Sequence, residues 1–307
     1  MEILINALLT VAIVVALGWV AGKTKIIKQE QDHGFSTFLL KFSLPILLFN
    51  ATATAKPQQL LDLKMNGAFI IGLMGMYLIV FILNKFILHR SIHRSAETAF
   101  VCGYPNTAFI GIPLMSALVG SQAMPPIVVS NIIVGVFMIP LTLVFIEIGI
   151  LGEDKVQLKP LLLKMLINPL IVLPLIGIII SVLGIQLPKL VISSATMIGS
   201  TTPGVSLFTL GLIMSRFKIQ LSAVAGINIF MKNILHPILM IGIVKLFGIT
   251  GLLAKELIIL CAMPTAITST IFSVSFDIDP LENVSSTILG TIVSLITLLG
   301  FMYWLKI

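Results

Sequence analysis

An all-α membrane protein is the fold class that this sequence predicts, and three observations predict it. Of its 307 residues, 58% are hydrophobic and only 10% charged, where a soluble domain carries roughly 25% charge. Apolar stretches of about 17 to 25 residues, each long enough to cross a ~30 Å hydrocarbon core as a helix, recur along the whole chain. The second half also repeats landmarks of the first at one constant spacing. The expected architecture is ten transmembrane helices in a 5+5 inverted repeat, with helices 4 and 9 broken and crossing.

The first span, 3–21, starts without a basic leader and outruns a signal-peptide core, so it is expected to be retained. The second, 34–54, carries Lys41 near one end, where its stem lets the ammonium snorkel to the head groups. Spans 66–88 and 96–119 flank the basic run 89-HRSIHR-94. Topology or lipid head groups explain that run better than a metal site, because His89 and His93 have no further ligands near in sequence. Span 124–150 ends with Glu147 at the interface, and the polar link 152-GEDKVQLKP-160 leaves no room for a soluble domain. Spans 161–184, 190–214, 222–247, 254–276 and 284–304 complete the set. The halves are thus 1–151 and 160–307.

Lys232 sits about ten residues into the eighth span, too deep to snorkel, with His236 at i+4 on the same face and Asn233 beside it. A charge at the bilayer centre costs at least ~2.5 to 3.5 kcal/mol on insertion scales. Two readings stay open: a cationic wall for an anion, or a clamp on backbone carbonyls freed by Pro237 or by a nearby break. Asp277, Asp279 and Glu282 follow the ninth span and are expected to be a solvated loop cluster.

Eleven of the nineteen Lys and Arg residues gather on one side if the N-terminus is outside, and six on the other. Basic loops stay inside, so both termini are expected outside. That asymmetry accounts for the net charge of +7 without a nucleic-acid partner. Cys102 and Cys261 lie within spans and outside any C-x-x-C pair, so they read as small core residues rather than disulfide or zinc ligands. No metal-protease, esterase, Walker or Rossmann pattern appears, which leaves catalysis, ATP hydrolysis and cofactor binding without residues to carry them.

The repeat is read from aligned landmarks. The stretch 101-VCGYPNTAFI-110 sets against 260-LCAMPTAITS-269, with Cys102 to Cys261 and Pro105 to Pro264 both 159 apart. Likewise 45-PILLFN-50 matches 203-PGVSLFT-209 within one residue of that offset, and Lys85 pairs with Lys245 at 160. A repeat of five spans must enter the membrane from the opposite side the second time, and inverted repeats place a substrate site near the midplane. Pro105 and Pro264 fall roughly 15 Å into their spans, close to that midplane. Proline removes a backbone hydrogen bond and clashes with the preceding turn, so each breaks its helix and creates a new N-terminus that favours an anion. Asn106 and Thr107 follow the first break, and Thr265, Thr268 and Ser269 the second; all can donate hydrogen bonds to an oxygen-rich ligand.

The run 105-PNTAFIGIPL-114 resembles the P-N-T-x-x-x-G-I-P-L signature of the auxin efflux carrier family, in its bacterial malate and malonate permease branch. The patterns 45-PILLF-49, 168-NP-169 and the Cys/Pro spacing near Pro264 agree along the chain. The resemblance implies a scaffold of helices 1, 2, 6 and 7 and a transport unit of helices 3–5 and 8–10. It further implies a bacterial cytoplasmic membrane location, a homodimer, and contact between Asn106 and a substrate carboxylate. The short link between helices 5 and 6 departs from the plant members and weighs against auxin as substrate.

The expected function is a secondary transporter for small organic anions, mono- or dicarboxylates such as malate. Pro105, Asn106, Thr107, Pro264, Thr265, Thr268 and Ser269 form the expected binding set, with Lys232, His236 and Asn50 added from neighbouring spans. A coupling proton or sodium ion stays open, and no metal or cofactor is implied. The alternative is a cation/proton antiporter or sodium symporter on the same architecture. Against it, neither 100–115 nor 257–276 contains Asp or Glu.

Overall fold

The structure is a computed structural model that describes residues 2–60, 62–152, 167–216 and 219–307. The link between the halves, the start of the sixth span and the boundary at 160 lie outside the described residues. In chain order the main helices are α1 (Glu2–Lys23), α2 (His33–Thr54), α3 (Leu63–Ile87), α4 (Ile92–Gly103), α5 (Ile112–Val119) and α6 (Pro125–Ile150). They continue as α7 (Pro169–Val182), α8 (Lys189–Met214), α9 (Ala223–Leu246), α10 (Gly251–Ala262), α11 (Ile267–Ser275) and α12 (Pro280–Leu305). Six of these, α2, α3, α6, α8, α9 and α12, are long and apolar enough to cross a membrane. The stretches 96–119 and 254–276 are each split, into α4 with α5 and α10 with α11.

Prolines shape the long helices in a regular way. Wide turns at Leu39–Ser43, Thr107–Gly111, Val134–Met138 and Met231–Leu235 each end two residues before a proline: Pro45, Pro113, Pro140 and Pro237. In three of them the N–H of the residue directly before the proline donates to the carbonyl five residues back, as Leu44 to Leu39, Ile139 to Val134 and His236 to Met231. A proline clashes with the carbonyl four residues earlier and offers it no hydrogen; the wider turn moves that carbonyl aside and keeps the helix going.

The contacts sort the helices into groups. α1 packs on α8, and α2 on α7 and α8; α3, α4 and α6 pack together, as do α9, α10 and α12, with α3 against α9. Tyr77 and Phe69 of α3 and Phe100 of α4 are fully buried, whereas Leu17, Leu78 and Ile296 face outward, as lipid-facing positions must. The α1–α8 contact is a backbone approach. A Cβ on Gly18 would strike the Phe208 carbonyl, and one on Gly211 the Val15 carbonyl. In lipid such close contact supplies the dispersion that the hydrophobic effect cannot. Gly18→Leu is therefore expected to abolish monodisperse protein in detergent size-exclusion runs. Gly226→Leu, where a side chain meets open space, leaves the elution profile unchanged.

Candidate functional site

The two breaks meet. α4 ends at Gly103 and α10 at Ala262, positions 159 apart, and the chain beyond each is extended: Tyr104 at φ −96°, ψ 104° and Met263 at φ −63°, ψ 150°. Pro105 and Thr265 form an antiparallel bridge. The Asn106 N–H donates to the Pro264 carbonyl at 2.8 Å, and the Ala266 N–H to the Tyr104 carbonyl at 2.9 Å. Groups that the prolines would leave unsatisfied in each helix thus partner one another across the crossing, which is what irregular backbone inside a membrane protein requires.

Past the breaks both chains turn helical again. The Asn106 carbonyl accepts from the Ile110 and Gly111 N–H groups, starting one half-helix, and Ile267 starts α11. Asn106 and Ile267 line a cavity of about 210 Å³. Val15 of α1, Leu210 of α8 and Ile288 of α12 close it, and its polar lining residues are Asn106 and Thr291. Asn106, Thr107, Thr265 and Thr268 are all buried around the crossing. Thr107 Oγ1 receives hydrogen bonds from Ser130 at 3.1 Å and from Asn131 Nδ2 at 3.0 Å, which fix it to α6. Ser269 turns back on its own chain, donating to the Ala266 carbonyl at 2.7 Å. Asn50 stands apart: its Nδ2 donates to Thr196 Oγ1 at 3.0 Å, where α2 meets α8.

Lys232 lies in the wide turn of α9, fully buried, and its Nζ donates to the Cys261 carbonyl at 2.8 Å and meets His236 Nδ1 at 3.2 Å. In an unbroken helix that carbonyl would accept from Thr265, so the ammonium replaces a bond lost at the break. It also sits at the negative end of the α10 dipole. Lys41 lines a second, more polar cavity of about 320 Å³ between α2, α7 and α11, with His33, Thr37, Asn168 and Ser275.

The acidic cluster after the ninth span departs from the solvated loop that the sequence suggests. Arg90 makes a fork with Glu282 at 2.8 and 2.9 Å, and Arg94 reaches Asp279 at 3.4 Å. The bidentate geometry, between chain segments 192 residues apart, ties the start of α4 to the start of α12. His93 beside it is pulled below its ordinary value, first by burial and then by the neighbouring Arg94. A histidine that resists protonation when folded adds stability above its unfolded value of about 6.5 and loses it as pH falls through the folded value. Thermal-shift midpoints are accordingly expected to drop on acidification below about pH 6.5, and His93→Gln to flatten that decline.

Sequence reasoning missed two acidic residues close to the breaks. Glu97 on α4 and Glu256 on α10 are both buried, each eight residues ahead of its proline. The signal was available, since 97-ETAFVCGYP-105 and 256-ELIILCAMP-264 share Glu, Cys and Pro at one spacing.

Apolar helices long enough to span a bilayer, with two broken ones joined beside a cavity, mark the class of helical membrane transporters. The model of the family described as "Membrane transport protein" matches residues 3–157 and 153–302, and the chain belongs to that family, the auxin efflux carriers. It is 22% identical to the uncharacterized transporter YfdV of Escherichia coli, over 97% of this chain and 94% of YfdV. It is also 23% identical to auxin efflux carrier component 8 of Arabidopsis thaliana, over 99% of this chain and 97% of the relative. The chain is a transporter rather than an enzyme.

Proposed function

We propose that this transporter carries small organic anions by alternating access, and that the carboxylate is bound where the two broken helices meet. The observation that carries the reading is Asn106: a buried amide at the start of a half-helix, on the wall of a mostly apolar cavity. A half-helix N-terminus offers N–H groups and positive dipole to an anion, and low surrounding polarity strengthens both. Thr265 and Thr268 of the second break are buried beside it, outside the cavity lining, with Thr268 hydrogen-bonded to Tyr104. Lys232 supports the site indirectly, by holding the Cys261 carbonyl.

The lining also discriminates among carboxylates. With Asn106 and Thr291 as the cavity's polar residues, a second carboxylate would be buried without partners, which is costly. A monocarboxylate with an apolar remainder fits better than malate. That the relatives include a protein named as an auxin efflux carrier supports the same substrate class.

The architecture we infer is ten spans in two inverted halves, with α1, α2, α7 and α8 as scaffold and the remaining helices as the moving unit. The matching breaks 159 residues apart and the packing groups support it. Both cavities lie between those two units, which is where a rocking movement opens and closes access. The excess of basic residues on one side supports both termini lying outside a cytoplasmic membrane.

Counterflow in proteoliposomes across a panel of mono- and dicarboxylates tests the reading. Saturable exchange of apolar monocarboxylates is expected. Sodium-dependent proton flux without any organic acid, and no carboxylate exchange, would overturn it in favour of a cation antiporter.

A further inference from the structure

Glu97 is 0% exposed, and both of its carboxylate oxygens are buried without a hydrogen-bond partner. Glu256 is likewise buried, with Oε1 unpartnered. The spacing of Glu, Cys and Pro makes them counterparts in the two halves. Each lies eight residues, or ~12 Å at helical rise, from its break. The Pro105–Thr265 bridge is antiparallel, so α4 and α10 lead away from it in opposite directions and the two carboxyls flank the crossing.

The ionisable groups on elements packed around α4 are Lys64, Tyr77 and Lys85 of α3, Glu147 of α6, Lys232, His236 and Lys245 of α9, and Glu282 and Tyr303 of α12; α11 contributes none. Lys232 is engaged by Cys261, and Glu282 by Arg90. Along α4 itself, Arg94 reaches Asp279, and His93 lies one turn before Glu97 toward the basic loop. Among the described residues no cation pairs with Glu97. A carboxylate sealed from water without donor or counter-ion is strongly disfavoured as an anion. Ionisable residues kept inside a membrane at such cost mark proton or ion routes.

We propose that Glu97 and Glu256 are the proton-binding pair of this transporter, through which anion movement is coupled to protons. Each carboxyl takes one proton from water while the moving unit is open to one face and releases it after the unit has opened to the other, so that the proton crosses with the anion. The net charge moved with a monocarboxylate then falls by one for each proton carried. This rests on the transport reading above.

The test compares wild type with Glu97→Gln, an isosteric neutral side chain, in proteoliposomes with and without an imposed pH gradient. Glu97→Gln is expected to retain carboxylate counterflow and to lose accumulation driven by the gradient, with Glu256→Gln showing the same split. Gradient-driven accumulation by Glu97→Gln at the wild-type level would overturn the proposal. If the wild type exchanges no carboxylate, the transport reading fails, and infrared spectroscopy of the purified protein decides this one separately. A buried carboxylic-acid band that fades as pH rises in wild type and is missing from Glu97→Gln supports proton binding; its absence from wild type refutes it. The same measurement decides if Glu97→Gln does not fold.

Discussion

Asn106→Ala is expected to lower carboxylate uptake about 10- to 100-fold, the equivalent of one hydrogen bond to a charged group. The substitution removes the amide that lines the cavity and leaves the backbone joint intact, because the contact to Pro264 is made by the main-chain N–H. The expected phenotype is thus a binding defect in a folded protein: a raised half-saturation concentration with a thermal midpoint near wild type. Initial-rate uptake over a range of substrate concentrations, set beside a melting curve of the same preparation, separates the two effects. Wild-type uptake by well-folded Asn106→Ala would remove this residue from the site.

Lys232→Met is expected to do the opposite. Methionine keeps much of the length and apolar bulk of the stem but donates nothing, so the Cys261 carbonyl is left buried and unpaired, at a cost of about 1–3 kcal/mol. Low yield and a lowered melting temperature should follow, while uptake per folded molecule stays within about threefold of wild type, under 1 kcal/mol. Arginine is a poor rescue, because its planar fork cannot replace a compact ammonium in the space between Cys261 and His236. A stable Lys232→Met protein with strongly weakened carboxylate affinity would instead make the charge part of the substrate pocket.

The breaks at Pro105 and Pro264 were legible in the sequence because proline carries a fixed physical consequence inside a helix. The membrane class was legible for a similar reason, as length and hydropathy decide it almost without reference to packing. Other features needed tertiary contacts. Nothing local says that Lys232 meets the Cys261 carbonyl 29 residues away, or that Arg90 finds Glu282 across 192 residues. The apolar character of the cavity was equally hidden, since its walls come from α1, α8, α11 and α12. Glu97 and Glu256 are a different case. Their spacing to Cys and Pro was readable, but a search for acids confined to 100–115 and 257–276 begins just past both.

Two main-chain hydrogen bonds cross the joint between the broken helices, Asn106 N–H to Pro264 and Ala266 N–H to Tyr104. Those two bonds do not depend on the side chains that hang beside them. Exchanging cavity residues such as Ile267 or Ile288 therefore changes the lining without rebuilding the crossing.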